Sequence, residues 1–285
     1  MSDQAAVLRE LARNQRYVAH PEITSDCQLI AITSGKGGVG KTHVVVNLAL
    51  ALRRAGKKVA ILDADFGLAN VDVFLGLTPT FHLGHVIEGI QPLKSIIVEG
   101  PEGIGIIPAS SGIQELTEMG PSQQAHLIGE LSTVMERYDY ILIDTAAGIS
   151  NNVIRFLLVA RRVIVVSAPE PTAIVDAYAL IKVLFRKDQT KEVYLVVNSV
   201  GDESEARDVH HQLSHVAERF LGQKIALLGF IPKDERVPMS VRRQQPLMIT
   251  HPRTVVSRRF CLIAETLMSQ PPVTGKLDQL WHEEG

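Results

Sequence analysis

Seven short aliphatic runs recur along the chain: Gln28–Thr33, Lys58–Asp63, Ile104–Ile107, Tyr138–Asp144, Arg162–Ser167, Val193–Asn198 and Ile225–Phe230. Most are continuous Val/Ile/Leu stretches without polar alternation, the pattern of strands buried on both faces of a parallel sheet. Between them, near residues 43–54, 121–136, 150–160, 172–186, 204–221 and 253–268, apolar residues recur at helical spacing. Val44, Leu48, Ala51 and Leu52 illustrate it, with Gly56 as the stop. Strand alternating with helix predicts a single α/β domain: a mostly parallel, twisted sheet with helices on both faces. In such sheets ligands bind beyond the carboxyl ends of the strands. The loops that follow the runs are therefore where chemistry is expected.

Two appendages flank this body, which is expected to span residues 28–270. Residues 1–18 read as a short N-terminal helix with Val7, Leu8, Leu11 and Ala12 on one side, joined by a polar linker at 19–27. At the other end Pro271 and Pro272 break the last helix and leave a tail, 271–285. A length of 285 residues suits one large α/β domain, and 46% hydrophobic with only 5% aromatic content predicts an aliphatic core. Formal charge is −2, too balanced to point to nucleic acid or membrane. Cys27 and Cys261 lie 234 positions apart, so they form no Cys-x-x-Cys site. No apolar run approaches the roughly 18 residues a bilayer span needs, and the first twenty residues carry charges of both signs without an apolar stretch. A reduced, cytoplasmic protein is expected.

The strongest chemical signal is Gly35-Lys36-Gly37-Gly38-Val39-Gly40-Lys41-Thr42, which fits the phosphate-cradling pattern G-x-x-x-x-G-K-[ST]. It sits between a predicted strand and a predicted helix, the geometry that aims backbone N–H groups and a helix N-terminus at a phosphate. Lys41 is then expected at the β- and γ-phosphates of a nucleotide, with Thr42 as a Mg²⁺ ligand. Aspartates close two further runs, Asp63-Ala64-Asp65 and Asp144-Thr145-Ala146-Ala147-Gly148. A strand-end aspartate alone is an ordinary turn former. Joined to a phosphate loop, Asp144 becomes the candidate partner of the metal, acting through a water.

Lys36 is superfluous in an ordinary phosphate loop. The sequence K-G-G-x-G-K-T resembles the deviant loop of the MinD/ParA ATPases, in which the early lysine reaches the partner subunit's nucleotide. Their D-x-D-x-G-L-x-N-x-D pattern is matched by Asp63, Asp65, Gly67, Leu68, Asn70 and Asp72. The resemblance implies an ATP- and Mg²⁺-dependent homodimer with slow, switch-type hydrolysis. It implies that Asp65 positions the attacking water, that Asp63 supports the metal and the switch, and that Lys36 acts across the interface. It also implies that Asn198, Pro232 and Asp234 hold adenine, and that Pro169–Thr172 senses the nucleotide.

Within that group the N-terminal Asp3-Gln4-Ala5-Ala6-Val7-Leu8-Arg9 is similar to the D-Q-A-x-x-L-R motif of flagellar-number regulators of the FlhG/FleN type. So are Leu62–Val73, Leu75–Leu77, Pro108–Gly112, Asp144–Gly148 and Asp176–Lys182. In that family the motif stimulates FlhF, a GTPase resembling those of the signal recognition particle; here Asp3, Gln4, Ala5, Leu8 and Arg9 would do so. A flagellar transcription activator and recruitment to the cell pole or membrane periphery are further implications.

Other readings are weaker. MinD-like proteins end in a basic amphipathic helix, but here the stripe Leu277, Leu280 and Trp281 has only Lys276 against Asp278, Glu283 and Glu284. Direct membrane attachment is therefore expected to be weak or indirect. Two cysteines exclude an iron–sulfur carrier, and a last tyrosine at Tyr194 excludes a kinase with a tyrosine-rich tail. His210, His211 and His215 read as a solvated helix face rather than a metal site. Seven basic residues against two acidic ones between Lys233 and Arg259 keep a ParA-like DNA-partition ATPase as the principal alternative. A MinD-like division-site regulator follows it, and no specific nucleic acid is expected.

Overall fold

The computed structural model describes residues 26–67, 70–109 and 121–272. The N-terminal segment with Asp3, Gln4, Ala5, Leu8 and Arg9, and the tail from residue 273, lie outside the described residues. The strands are β1 (Gln28–Ser34), β2 (Val59–Ala64), β3 (Val98–Glu99), β4 (Gly105–Ile107), β5 (Tyr140–Ala147), β6 (Arg162–Ser167), β7 (Glu192–Val200) and β8 (Ala226–Pro232). They form one sheet in the order β3-β4-β2-β5-β1-β6-β7-β8, parallel throughout except for the β3–β4 edge. The expected α/β class is thus observed.

The longer helices are α1 (Lys41–Arg54), α5 (Pro121–Met135), α6 (Asn151–Val159), α7 (Pro171–Lys187), α8 (Glu203–Leu221) and α11 (Val255–Ser269). Shorter ones are α2 (Val71–Leu75), α3 (Leu83–Ile87), α4 (Leu93–Ile96), α9 (Arg236–Arg242) and α10 (Leu247–Thr250). Successive strand residues point to opposite faces, and the continuous aliphatic runs feed two cores. Leu29 and Ala31 of β1 join Ile141, Ile143, Val163 and Val165 in the layer covered by α5 to α8. Ile30 and Ile32 join Leu142, Ile164 and Val196 under α1 and α11. Cys27, assigned above to the linker, is buried in the first of these cores, where burial pushes its thiol up to about 12.

Sequence pattern missed β3 and the five short helices, which are too brief to show a period. It also ended β5, β7 and β8 early, the last running on to Pro232. β5 continues through Thr145, Ala146 and Ala147, and β7 continues past Asn198 to Val200. Thr145, fully buried, donates its hydroxyl to the Ile32 carbonyl, and Ser34 pairs with Ala147, so β5 stays paired with β1 beyond the aspartate.

Candidate functional site

β1 occupies the middle of the sheet, between β5 and β6, and its carboxyl end runs into the glycine loop. Three contacts brace that loop from behind. Gly148 donates its N–H to the Ser34 carbonyl at 2.8 Å, the Ser34 hydroxyl donates to the Lys36 carbonyl at 3.0 Å, and the Asn198 amide donates to the Val39 carbonyl at 2.7 Å. Two glycines are dictated by packing. A Cβ on Gly35 would stand 2.1 Å from the Asp176 backbone, and one on Gly40, at φ +86°, would stand 2.4 Å from the Asn198 amide. Gly37 and Gly38 differ: a Cβ on either would meet nothing within 4 Å. That open side is a cradle a phosphate can enter. Behind it the N-terminus of α1 has no side-chain cap, so its first N–H groups and helix dipole remain available to an anion.

Under the loop, Lys41 donates to Asp144 Oδ1 at 2.5 Å, with both residues buried. The Thr42 hydroxyl also hydrogen-bonds the Asp144 carboxylate. Burial pushes that carboxyl up, while Lys41 and Thr42 favour its charged form. Asp63 sits in register beside Asp144 on the neighbouring parallel strand. Burial first, and the Asp144 charge second, raise its carboxyl to about 7. Its oxygens are already engaged: Oδ1 accepts from the N–H of Asp65 at 3.0 Å, and Oδ2 from those of Asn70 at 3.0 Å and Val71 at 3.1 Å. Asp63 therefore ties the loop after β2 to the start of α2. Asp65 stands near enough to Asp144 to raise its carboxyl through charge.

Among the described residues no group of three or more His, Cys, Asp or Glu forms a metal site. A hydroxyl and a carboxylate beside an open phosphate cradle suit Mg²⁺, which usually takes few protein ligands and completes its shell with phosphates and water. The donor set thus fits a Mg²⁺–nucleotide.

Lys36 does not point into the cradle. Its ammonium lies 2.8 Å from Glu170 Oε2 and 3.0 Å from Thr172 Oγ1, at the N-terminal end of α7. Glu170 caps α7 and Thr172 lies in its first turn, both within the Pro169–Thr172 stretch, but nothing in the sequence marked them as partners of this lysine. Of the three residues expected around adenine, Asn198 lies near the carboxyl end of β7, Pro232 ends β8 and Asp234 follows it by two positions. Asn198 is spent in part on the phosphate loop. Asp234 accepts from the Arg236 backbone at 2.9 Å and from its guanidinium at 2.7 and 2.8 Å, and Pro232 closes β8 half-buried.

The basic stretch is partly self-satisfied. Besides the Arg236–Asp234 pair, Arg259 lies 3.7 Å from Glu203 and stacks 4.0 Å over the Phe230 ring. The histidine face is not simply solvated, because a His210 ring nitrogen hydrogen-bonds the Ile225 carbonyl at 2.8 Å. A residue the sequence reading passed over is Asn47. It accepts from the Met248 N–H at 3.0 Å and donates to the His43 carbonyl at 2.8 Å, pinning α10 to the phosphate-loop helix.

The chain is similar to known proteins in sequence and in fold. A family model described as ParA, NUBPL iron-transfer P-loop NTPase, matches residues 27–268. The antiactivator FleN of Pseudomonas aeruginosa is 44% identical over 244 residues, covering 86% of this chain and 87% of that protein. The flagellum site-determining protein YlxH of Helicobacter pylori is 33% identical over 271 residues, covering 95% and 92%. Among solved structures, the septum site-determining protein MinD complexed with Mg-ADP from Pyrococcus horikoshii superposes with a TM-score of 0.72 at 26% identity, covering 85% and 96%. Nucleotide hydrolysis is the general chemistry of such proteins. The chain belongs to the MinD/ParA family of P-loop NTPases, as a member of the FlhG/FleN type.

Proposed function

We propose that this protein is a slow, switch-type ATPase that dimerises on Mg²⁺–ATP and regulates flagellum assembly, with residues 3–9 stimulating an FlhF-type GTPase. The observation that carries the ATPase reading is the buried Lys41–Asp144 pair, with Thr42 beside it, beneath an open glycine loop. Backbone N–H groups of residues 35–40 would hold the phosphates, and Lys41 would turn from Asp144 to the β- and γ-oxygens. The bound Mg²⁺ supplies charge neutralisation on those oxygens. Thr42 would hold it directly and Asp144 through a water, while Asp63, whose oxygens hold backbone N–H groups, acts by fixing the loop that carries Asp65. Asp65 would orient the attacking water. Lys36 would leave Glu170 for the partner subunit's nucleotide, stabilising charge that develops in hydrolysis.

Support for the flagellar role comes from the FleN and YlxH relatives. Among the described residues no helix is long and apolar enough to cross a membrane, so polar recruitment would be through partners or weak surface contact. A transcription activator is the further partner this reading suggests. Sedimentation with a non-hydrolysable ATP analogue tests its core: the wild type should form dimers only with nucleotide and Mg²⁺. Lys36→Ala should bind nucleotide and stay monomeric. A Lys36→Ala protein that dimerises normally would remove the cross-subunit role.

A further inference from the structure

At the amino ends of β2 and β5, opposite the phosphate loop, a pocket of about 170 Å³ opens between the last turn of α1 and the turn before β4. Arg53, Lys58, Val59, Gly103, Arg137 and Tyr138 line it, three cations and no acid. Among the described residues no carboxylate pairs with any of the three. The pocket's shape is fixed by its surroundings. Glu102 at φ +56° and Gly103 at φ +77° are consecutive left-handed residues that fold the turn back onto α1. Arg54 then holds the Glu102 carboxylate, with Nη2 2.6 Å from Oε1 and Nε 3.1 Å from both oxygens. Arg53 donates its Nε to the Glu102 carbonyl at 2.8 Å, which orients the guanidinium and leaves its two terminal nitrogens without a partner. Gly103 keeps the space beside them clear, since a Cβ there would stand 3.7 Å from Arg53 Nη2.

The opposite wall is equally set. The Tyr138 ring is wedged against β4, where a Cβ on Gly105 would meet its hydroxyl at 2.4 Å, and the Arg137 guanidinium stands 6.0 Å from the centre of that ring. Groups that would repel an anion are already engaged. Asp139 Oδ2 accepts from the Lys58 N–H at 2.7 Å, and the carbonyls of Ala51, Leu52 and Arg53 that end α1 accept from Ala55, Lys57 and Gly56. We propose that this pocket binds a phosphate monoester dianion, a second anion site at the far end of α1 and about 20 Å from the nucleotide cradle at 1.5 Å of helix per residue. Arg53 and Arg137 present planar forks that match phosphate oxygens, and Lys58 adds a point charge. Three cations balance a dianion, whereas a single carboxylate would leave two of them uncompensated. Pockets for whole drug-sized ligands run to roughly 300 Å³ and more, so this one suits a phosphoryl group with a few waters of about 30 Å³ each.

Inorganic phosphate is the probe, and saturation with Mg²⁺ and a non-hydrolysable ATP analogue first fills the phosphate loop through its γ position. Isothermal titration of the full chain at constant ionic strength should then show one phosphate bound per chain, with acetate at least tenfold weaker. Lys58→Gln and Arg137→Gln alter side chains that pair with nothing in the fold. Each should weaken phosphate binding about fivefold or more, with nucleotide affinity and circular dichroism unchanged. Phosphate that fails to bind once the loop is filled would overturn the proposal, and so would binding that both variants leave intact. Acetate binding as tightly as phosphate would assign the pocket to a carboxylate, and duplex DNA displacing phosphate would assign it to a phosphodiester backbone; either result overturns a monoester site. Vesicles separate the two sources of a monoester. Pelleting with phosphatidic acid but not phosphatidylglycerol, lost in Arg137→Gln, supports a site for a lipid headgroup, and phosphate binding without pelleting supports one for a free phosphate.

Discussion

Lys36 and Glu170 form an ion pair across 134 positions of sequence, 2.8 Å from ammonium to carboxylate, and the pair ties the phosphate loop to the start of α7. Both side chains are well exposed, 39% and 63%, so the pair is a surface contact worth no more than about 1 kcal/mol. A restraint of that size holds Lys36 to one side without locking it. Glu170→Gln should therefore favour ATP-dependent dimers, lowering the concentration for half-dimerisation by up to about thirtyfold, because each dimer releases two such pairs of up to about 1 kcal/mol each. Sedimentation equilibrium in low salt measures it. An unchanged midpoint would mean that Glu170 does not compete for Lys36.

Asp65→Ala should hold the protein as an ATP-bound dimer. Lys41, Thr42 and Asp144 remain to bind nucleotide, while the group proposed to orient water is gone. Removal of a positioned catalytic group costs roughly 10²-fold or more in kcat. Single-turnover hydrolysis beside a nucleotide-binding titration separates the two effects. Wild-type turnover would move the water-positioning role to another residue.

The glycines of the loop should divide by what faces them. Gly35→Ala places a methyl 2.1 Å from the backbone of α7, which cannot yield as a flexible side chain can. Thermal unfolding without nucleotide should fall by several degrees. Gly37→Ala meets only open space, so the same melt should be unchanged while nucleotide affinity drops. Equal melting losses for the two variants would show that Gly37 does not face open space, and an unchanged nucleotide affinity for Gly37→Ala would show that the open side is not where the ligand approaches.

His43 supplies a pH dependence. It is buried between Phe74 and Phe260, neither ring nitrogen has a hydrogen-bond partner, and burial lowers its pKa to about 4. A folded pKa below the unfolded value of about 6.5 means the unfolded chain takes up the proton first. Stability is therefore lost as pH falls from about 6.5 to about 4, by at most about 3 kcal/mol. Asp63 works the other way: its folded pKa of about 7 lies above the ordinary carboxylate value, so its contribution rises as pH falls. Comparing wild type with His43→Leu cancels the Asp63 effect. The stability difference between them should shift against the wild type by about 2–3 kcal/mol between pH 7 and pH 4 in urea titrations. A pH-independent difference would sink this assignment.

Much of this was legible because it depends on local pattern. The seven aliphatic runs mark buried parallel strands, and Gly35–Thr42 states its own geometry through four fixed positions. Asp63 and Asp144 could be paired with the loop because strand ends converge in such sheets. What stayed hidden depends on contacts remote in sequence. The Lys36–Glu170 pair, the brace from Asn198 to Val39 and the tie from Asn47 to Met248 join residues more than 130 positions apart. No periodicity encodes such contacts. Asn198 is an example: the resemblance implies a place at adenine, and only the folded chain shows that its amide also carries a carbonyl of the phosphate loop. Strand ends erred for a related reason, since Thr145 continues β5 through a hydroxyl bond to a neighbouring strand.

The N-terminal motif gives the sharpest test of the flagellar reading. Gln4 and Arg9 are the residue types expected where a water must be oriented and phosphate charge stabilised in trans. The polar stretch 19–26, with Pro21, separates them from β1 by a connector that could let them reach a partner. A synthetic peptide of residues 1–20 should raise the GTP hydrolysis rate of an FlhF-type GTPase, and its Gln4→Ala and Arg9→Ala versions should not. Deleting residues 1–18 from the full protein should abolish that stimulation while leaving ATP-dependent dimerisation of the body unchanged. An inert wild-type peptide, paired with a deletion that weakens dimerisation, would assign the segment to the fold and leave the partner GTPase without support.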